Sequence, residues 1–166
     1  MGGKKRILTN DQIEKKIHRI CYEIHEAAYQ EKEIVLFGIA NKGYRLAEIL
    51  VEKLKEIFPG EILLKKITVH TSERSVPEVE LSFTDLEHKT VFIIDDVLNT
   101  GFTLVYALKE VLNYRVKRIN TIVLVDRKHR KFPVRANIVG LTLSTTLEDH
   151  IQVEISKDNQ INAYLV

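Results

Sequence analysis

Three short runs of this chain are apolar almost without interruption: 34–39 (IVLFGI), 90–95 (TVFIID) and 119–126 (INTIVLVD). A strand with one wet face alternates apolar and polar residues. A strand without that alternation is buried on both faces, as in a parallel sheet covered by helices. The segments between the runs carry helical spacing. Thr9 to Gln12 reads as a capping box, and Ile13, Ile17, Ile20 and Ile24 follow at helical intervals, which predicts a helix over 10–30. Leu46, Ile49, Leu50, Leu54 and Ile57 predict a second helix, stopped by Pro59 and Gly60, and residues 102–114 a third. A further strand is expected over 61–70. Residues 71–88 are polar, contain Pro77 and read as a loop with a short strand near 79–83. Strand-like pieces follow around 136–143, 151–155 and 161–166. Alternating strands and helices of this kind fold as an α/β parallel sheet flanked by helices. Ligands of such sheets bind outside the carboxyl ends of the strands. Three loops occupy that position: 40–43, 94–103 and 126–135.

A chain of 166 residues fits a single domain, here 1–166 with a flexible start at residues 1–7. At 45% hydrophobic and 29% charged residues it can build a real core. The formal charge of +2 is too small for bulk electrostatics to imply a nucleic-acid or membrane partner. One cysteine, Cys21, permits neither an internal disulfide nor a cysteine-based zinc site, which fits a cytoplasmic protein. Cys21 reads as a small core residue, and His25, His70, His88 and His150 show no metal-ligand spacing. No apolar run approaches the ~20 residues of a membrane span.

The chemistry concentrates in TVFIIDDVLNTGFTLVYAL (90–108). Asp95 and Asp96 stand side by side at the expected ligand edge. Adjacent carboxylates repel unless they meet a cation or hydroxyl donors. Vicinal ribose hydroxyls and Mg²⁺ are such partners. Asn99, Thr100, Gly101, Phe102 and Thr103 then lead into a helix N-terminus, where free N–H groups and the helix dipole favour an anion. The ligand this suits is a ribose 5-phosphate. The plainer reading makes Asp96 a helix cap and Asp95 a solvated loop residue.

Four apolar residues, Asp-Asp and a short link to Thr-Gly-x-Thr resemble the phosphoribosyl-pyrophosphate (PRPP) signature of type I phosphoribosyltransferases. GIANKGYRLAEIL (38–50) is similar to their pyrophosphate loop and following helix. VLVDRKHRKFPVRANIVG (123–140) and LTNDQIEKKIHRICYEI (8–24) resemble the bifunctional pyrimidine-operon regulator/uracil phosphoribosyltransferase family. The resemblance implies the type I phosphoribosyltransferase fold, a parallel sheet with a small hood made from the chain's ends. It implies transfer of ribose 5-phosphate from PRPP to a nucleobase, with pyrophosphate released. Asp95 and Asp96 would bind the ribose hydroxyls and hold Mg²⁺, mostly through PRPP. Asn99, Thr100, Gly101, Phe102 and Thr103 would cradle the 5-phosphate, and Ala40, Asn41, Lys42 and Gly43 the pyrophosphate. The catalytic set would be Asp95, Asp96, Lys42 and Arg74. Homo-oligomers, dimers or higher, are common in the family.

The base is expected to be uracil, read by Asp126, Arg127, Ile138 and Val139. Purine-salvage relatives carry an acid before Thr-Gly, where this chain has Asn99, and a lysine where it has Asp126. A purine phosphoribosyltransferase is therefore the less favoured enzyme. Asp126 has a structural alternative, pairing with Arg127 or Arg130. Relatives also close a long mobile loop over PRPP. Here it falls at about 70–88, is shorter, and offers Arg74, which reads equally as an exposed loop residue. The rival function is a non-catalytic, PRPP- or nucleotide-sensing regulator that binds RNA through Arg19, Arg127, His129, Arg130 and Arg135. His18, Tyr22 and Leu141 depart from that family's pattern, and a short charge run is often only solvated surface or a subunit contact.

Overall fold

A computed structural model of the chain describes residues 3–146 and 148–166. In chain order the elements are β1 (Lys5–Leu8), α1 (Asn10–Ala27), β2 (Glu33–Ile39), α2 (Lys42–Leu54), β3 (Glu61–Ser72), β4 (Ser75–Leu81), β5 (Thr90–Leu98), α3 (Phe102–Val111), β6 (Arg118–Asp126), β7 (Ile138–Thr142), β8 (Ile151–Ile155) and β9 (Ile161–Leu165). Six strands form the main sheet in the order β4-β3-β2-β5-β6-β7. All its pairings are parallel except β3 with β4, so the sheet is mixed at that edge.

The uninterrupted apolar runs do what their composition demands. On β2, Ile34 and Leu36 pack with α1 and α2 on one face, and Val35, Phe37 and Ile39 pack with α3 on the other. On β5, Phe92 and Ile94 face the first core, Val91 and Ile93 the second. Helix α1 opens on the expected capping box, with Thr9 and Gln12 satisfying each other's backbone N–H groups. Its Ile13, Ile17, Ile20 and Ile24 are fully buried, and Cys21 lies among them. A second sheet, β1-β9-β8, forms the expected hood from the two ends of the chain. No helix among the described residues is long and apolar enough to cross a membrane.

Two expectations change. Residues 1–7 were expected to be flexible; Met1 and Gly2 lie outside the described residues, and Lys5–Leu8 is a strand whose Lys5 and Arg6 register with Leu165 and Tyr164 of β9. Residues 71–88 were expected to be a loop with only a short strand near 79–83. Instead β3 continues to Ser72 and turns through Glu73 and Arg74 into β4. Pro77 has no N–H to give a ladder, but on an outermost strand none is needed. Val79 and Leu81 alternate toward the α3-side core. Strand β3 runs five residues past Ile67, the partner of the last residue of β2, so the hairpin stands roughly 17 Å above that end of the sheet.

Candidate functional site

The carboxyl ends of β2 and β5 are neighbours, yet the chain leaves them in opposite directions across the sheet. That arrangement opens a crevice between the two strand ends. Residues 40–43 and 95–103 line up on its two sides. The Ala40–Asn41 peptide bond is cis. The amide of Ala40 donates to the Ile67 carbonyl at 2.9 Å. Asn41 caps α2 without a side-chain bond to it, and Asn41 and Lys42 are exposed. The first-turn N–H groups of α2 are thus free for a ligand anion. Gly43 is buried against β5, where a Cβ would stand 2.7 Å from the Ile94 carbonyl oxygen and 3.0 Å from the Asp95 carboxylate. Only glycine lets α2 lie this close to the acidic pair.

Asp95 and Asp96 do not end a strand as expected; β5 runs on to Leu98, and both carboxylates are half-buried along its last turn of ladder. The cap of α3 is Gly101, not Asp96, and Asp95 is not a solvated loop residue. The Asp96 amide donates to Asp95 Oδ1 at 2.9 Å. Burial, and after it the neighbouring charge of Asp96, push the Asp95 carboxyl well above the usual carboxylate range. A carboxyl in that state ionises readily only when an incoming cation or hydrogen-bond donor stabilises the carboxylate.

Beside the pair, Asn99, Thr100, Gly101, Phe102 and Thr103 wall a cavity of about 60 Å³ together with Asp95. Gly101 has φ +86° and caps α3 from the left-handed region. A Cβ there would meet Val134 Cγ1 at 2.5 Å. Thr100 Oγ1 accepts from the Phe102 amide, and the Thr100 carbonyl accepts from the amides of Lys131 and Phe132. The α3 N-terminus therefore faces a small cavity lined by polar and apolar residues, where its N–H groups favour an anion.

At the far side of the crevice the base-reading expectations need correction. Asp126 takes its structural alternative. Its Oδ1 accepts from Arg130 at 2.6 Å and from the Lys128 amide at 2.9 Å. Arg130 also donates to the carbonyls of Asn99 and Val134, stapling the 127–135 loop to the loop that precedes α3. Ile138 and Val139 lie back from this edge. They register with Ile122 and Val123, at the amino end of β7, and Thr142 is the partner of Asp126. Sequence reasoning instead missed Thr145 and Thr146. Arg127 reaches them with Nε to Thr145 Oγ1 at 2.7 Å and Nη2 to the Thr146 carbonyl at 2.8 Å, and its Nη1 touches Asn99 Oδ1 at 3.4 Å. A pairing eighteen residues away across a chain reversal leaves no periodic signal in the sequence.

The residues expected to meet RNA are dispersed. Arg127 is 4% exposed and is spent on internal bonds. Arg130 is likewise engaged. Arg19 donates to the carbonyls of Val139 and Gly140 on β7 and pairs with Glu23. His129 is half-buried, while Arg135 is exposed beside a cavity of about 500 Å³ shared with Lys128 and Asp126. Arg74 sits at the exposed tip of the β3–β4 hairpin, its amide bonded to Ser72 Oγ. Tyr106 packs on Phe102, with ring centroids 4.9 Å apart. Among the described residues no group of three or more His, Cys, Asp or Glu side chains converges as a metal site.

Comparison with known proteins agrees with this geometry. The model of the phosphoribosyl transferase domain matches residues 3–157. The bifunctional protein PyrR of Haemophilus ducreyi is 35% identical over 159 residues, which cover 90% of this chain and 89% of that protein. The bifunctional protein PyrR of Chloroflexus aurantiacus is 32% identical, covering 100% of this chain and 96% of that one. Among solved structures, the hypoxanthine-guanine phosphoribosyltransferase of Bacillus anthracis superposes with a TM-score of 0.76 at 15% identity, over 89% of this chain and 86% of that chain. The hypoxanthine phosphoribosyltransferase of Staphylococcus aureus gives 0.76 at 21%, over 89% and 80%. The chain belongs to the type I phosphoribosyltransferases, in the pyrimidine-operon regulator/uracil phosphoribosyltransferase branch.

Proposed function

We propose that this phosphoribosyltransferase transfers ribose 5-phosphate from PRPP to uracil and releases pyrophosphate. The observation that carries the reading is the meeting of two anion cradles across one acidic pair. The free first turn of α2 and the α3 N-terminal cavity flank Asp95 and Asp96 on adjacent strand ends. A ligand with phosphate at both ends of a ribose has the matching order of groups. Asp95 and Asp96 would accept hydrogen bonds from the ribose hydroxyls. Thr100, Gly101, Phe102 and Thr103 would hold the 5-phosphate, and Ala40 to Gly43 the pyrophosphate.

Mg²⁺ fits this donor set as a ligand-borne ion: two carboxylates are too few to cage it, and phosphate oxygens would supply the rest. When bound, it neutralises charge on the departing pyrophosphate. The chain's own part is positioning. It holds C1 of the ribose between the incoming base nitrogen and the leaving oxygen while positive charge develops on the ring. Asn99, an amide, offers a hydrogen bond and no base at the place where a proton-accepting acid would suit a purine.

A second reading keeps a regulator that binds RNA. Lys128, Lys131 and Arg135 remain exposed on one loop beside the site, and a basic patch of that kind contacts phosphates. Pyrophosphate release, followed with PRPP and Mg²⁺ and with uracil, hypoxanthine, guanine, xanthine or adenine supplied singly, tests the reading. Release with uracil alone is expected. Release with a purine overturns the base assignment, and no release with any base, with PRPP still binding, turns the weight to the regulator.

A further inference from the structure

Arg127 is a buried cation without an anion. The residue is 4% exposed, and the three side-chain contacts of its guanidinium are neutral oxygens: Thr145 Oγ1, the Thr146 carbonyl and Asn99 Oδ1. Among the described residues it forms no ion pair with any carboxylate. The carboxylate that feels it, Asp149, stands one step removed, accepting from the Thr146 amide and hydroxyl at 2.9 and 2.7 Å. Removing a guanidinium from water against neutral partners alone is costly, so an anion brought close to it would be favoured.

The place of that anion is next door. Asn99 walls the phosphate cavity and is held from two sides, its side chain by Arg127 and its carbonyl by Arg130 at 2.7 Å. The other arms of Arg127 hold Thr145 and Thr146, in the connection that leads from β7 into β8 of the hood. Arg127 also donates its own amide to the Leu98 carbonyl, fixing its root to the end of β5. One rigid planar fork thus spans the phosphate loop and the approach to the hood.

We propose that Arg127 is a positioning residue that couples occupancy of the phosphate cavity to the order of Thr145 and Thr146. It touches no reacting atom. A phosphate in the cavity supplies the missing negative charge, tightens the Asn99 contact, and through the same guanidinium draws Thr145 and Thr146 into place. The base end of the site is then assembled by the phosphate end. This rests on the phosphate cavity described above and not on which base is used.

Hydrogen–deuterium exchange with ribose 5-phosphate as the probe tests it, because that ligand carries the phosphate and no base. In the native chain the probe is expected to slow exchange both in peptides covering 99–104 and in peptides covering Thr145 and Thr146. Arg127→Lys keeps a charge but loses the fork. It should retain protection over 99–104, lose it over Thr145 and Thr146, and weaken the probe roughly tenfold. Thr145→Val, which removes one arm's partner and leaves the cavity intact, should bind the probe within about twofold of native and still lose the distant protection. If Arg127→Lys fails to fold, Thr145→Val decides alone. Protection of both segments in both variants, or of 99–104 only in the native chain, overturns the coupling. No protection over 99–104 in the native chain overturns the phosphate cavity itself and the coupling with it.

Discussion

Replacing Gly101 with alanine puts a methyl group where the fold has no room and the backbone no tolerance. At φ +86° an L side chain costs about 1–2 kcal/mol by its own backbone sterics. The added Cβ would also stand 2.5 Å from Val134 Cγ1, closer than real Cβ atoms come, with the Phe132 carbonyl oxygen at 3.4 Å behind it. Val134 is 9% exposed and packs in the α3-side core, so it cannot simply swing into solvent. Overpacking of that kind costs typically about 1–3 kcal/mol. The sum for Gly101→Ala is a loss of about 2–5 kcal/mol. The two parts separate in a double-mutant cycle. Val134→Ala alone should cost about 1–3 kcal/mol for two methyl groups, at about 0.5–1.5 each as in isoleucine-to-valine changes. Combined with Gly101→Ala it removes the clash, so the double variant should be more stable than the sum of the singles by about 1–3 kcal/mol, with the backbone cost left over. Urea unfolding of the four proteins at equal m-values measures this. Additive losses would show that Val134 is not what the methyl meets. A Gly101→Ala protein within about 0.5 kcal/mol of native would refute the left-handed cap, and with it the geometry assigned to the phosphate cavity.

Asp95→Asn should divide stability from binding. Folding raises the Asp95 pKa above its ordinary 3.8, so the folded state grips that proton more tightly. Stability therefore falls as pH rises from that value through the raised one, and the neutral amide is spared the loss. The variant should melt higher than native at pH 7, lose that advantage by pH 3, and bind PRPP with Mg²⁺ more weakly; equal melting at both pH values counts against the buried-carboxyl argument. Gly43→Ala forces a Cβ to 2.7 Å from the Ile94 carbonyl oxygen, a backbone atom that cannot rotate away. It should cost about 1–3 kcal/mol in unfolding and raise the KM for PRPP, and an unchanged melting point would refute the close packing. Cys21 Sγ lies 3.7 Å from the Leu50 carbonyl, and burial pushes its thiol up to about 11. At pH 8 only about one in 10³ molecules carries the thiolate, so iodoacetamide should label it slowly in the native chain and readily in urea. Arg45 reaches from α2 to Asn159 Oδ1 at 2.6 Å in the hood turn, and Arg45→Ala should speed amide exchange in β8 and β9 before any global unfolding.

Local rules carried the parts of this fold whose cause is local. The apolar runs of β2, β5 and β6, the Thr9–Gln12 box and the Asp-Asp to Thr-Gly-x-Thr spacing each hold their determinants within a few residues. The full length of the β3–β4 hairpin was hidden because Pro77 and the polar residues around the turn speak against a ladder, while position at an edge, which excuses proline, is a tertiary fact. The misplaced base end has the same origin. Ile138 and Val139 look like a strand end beside a ligand, but register alone puts them four and three rungs from Asp126. The basic run 127–135 reads as one patch in sequence. Folding sends Arg127 and Arg130 inward to Thr145, Thr146, Asn99 and Asp126, and leaves Lys128, Lys131 and Arg135 outside.

The contact of Arg19 with the Val139 and Gly140 carbonyls also bears on behaviour in crowded solution. Strand β7 is the last of its sheet, and a bare last strand is a template on which a stranger's chain can dock and grow. Here a guanidinium from α1 already occupies acceptors that such a newcomer would seek. The opposite margin is guarded by other means: Pro77 withholds a donor, and Glu78 and Glu80 bring like charge to any approaching copy. Each border of the sheet thus carries features that disfavour the addition of a further strand.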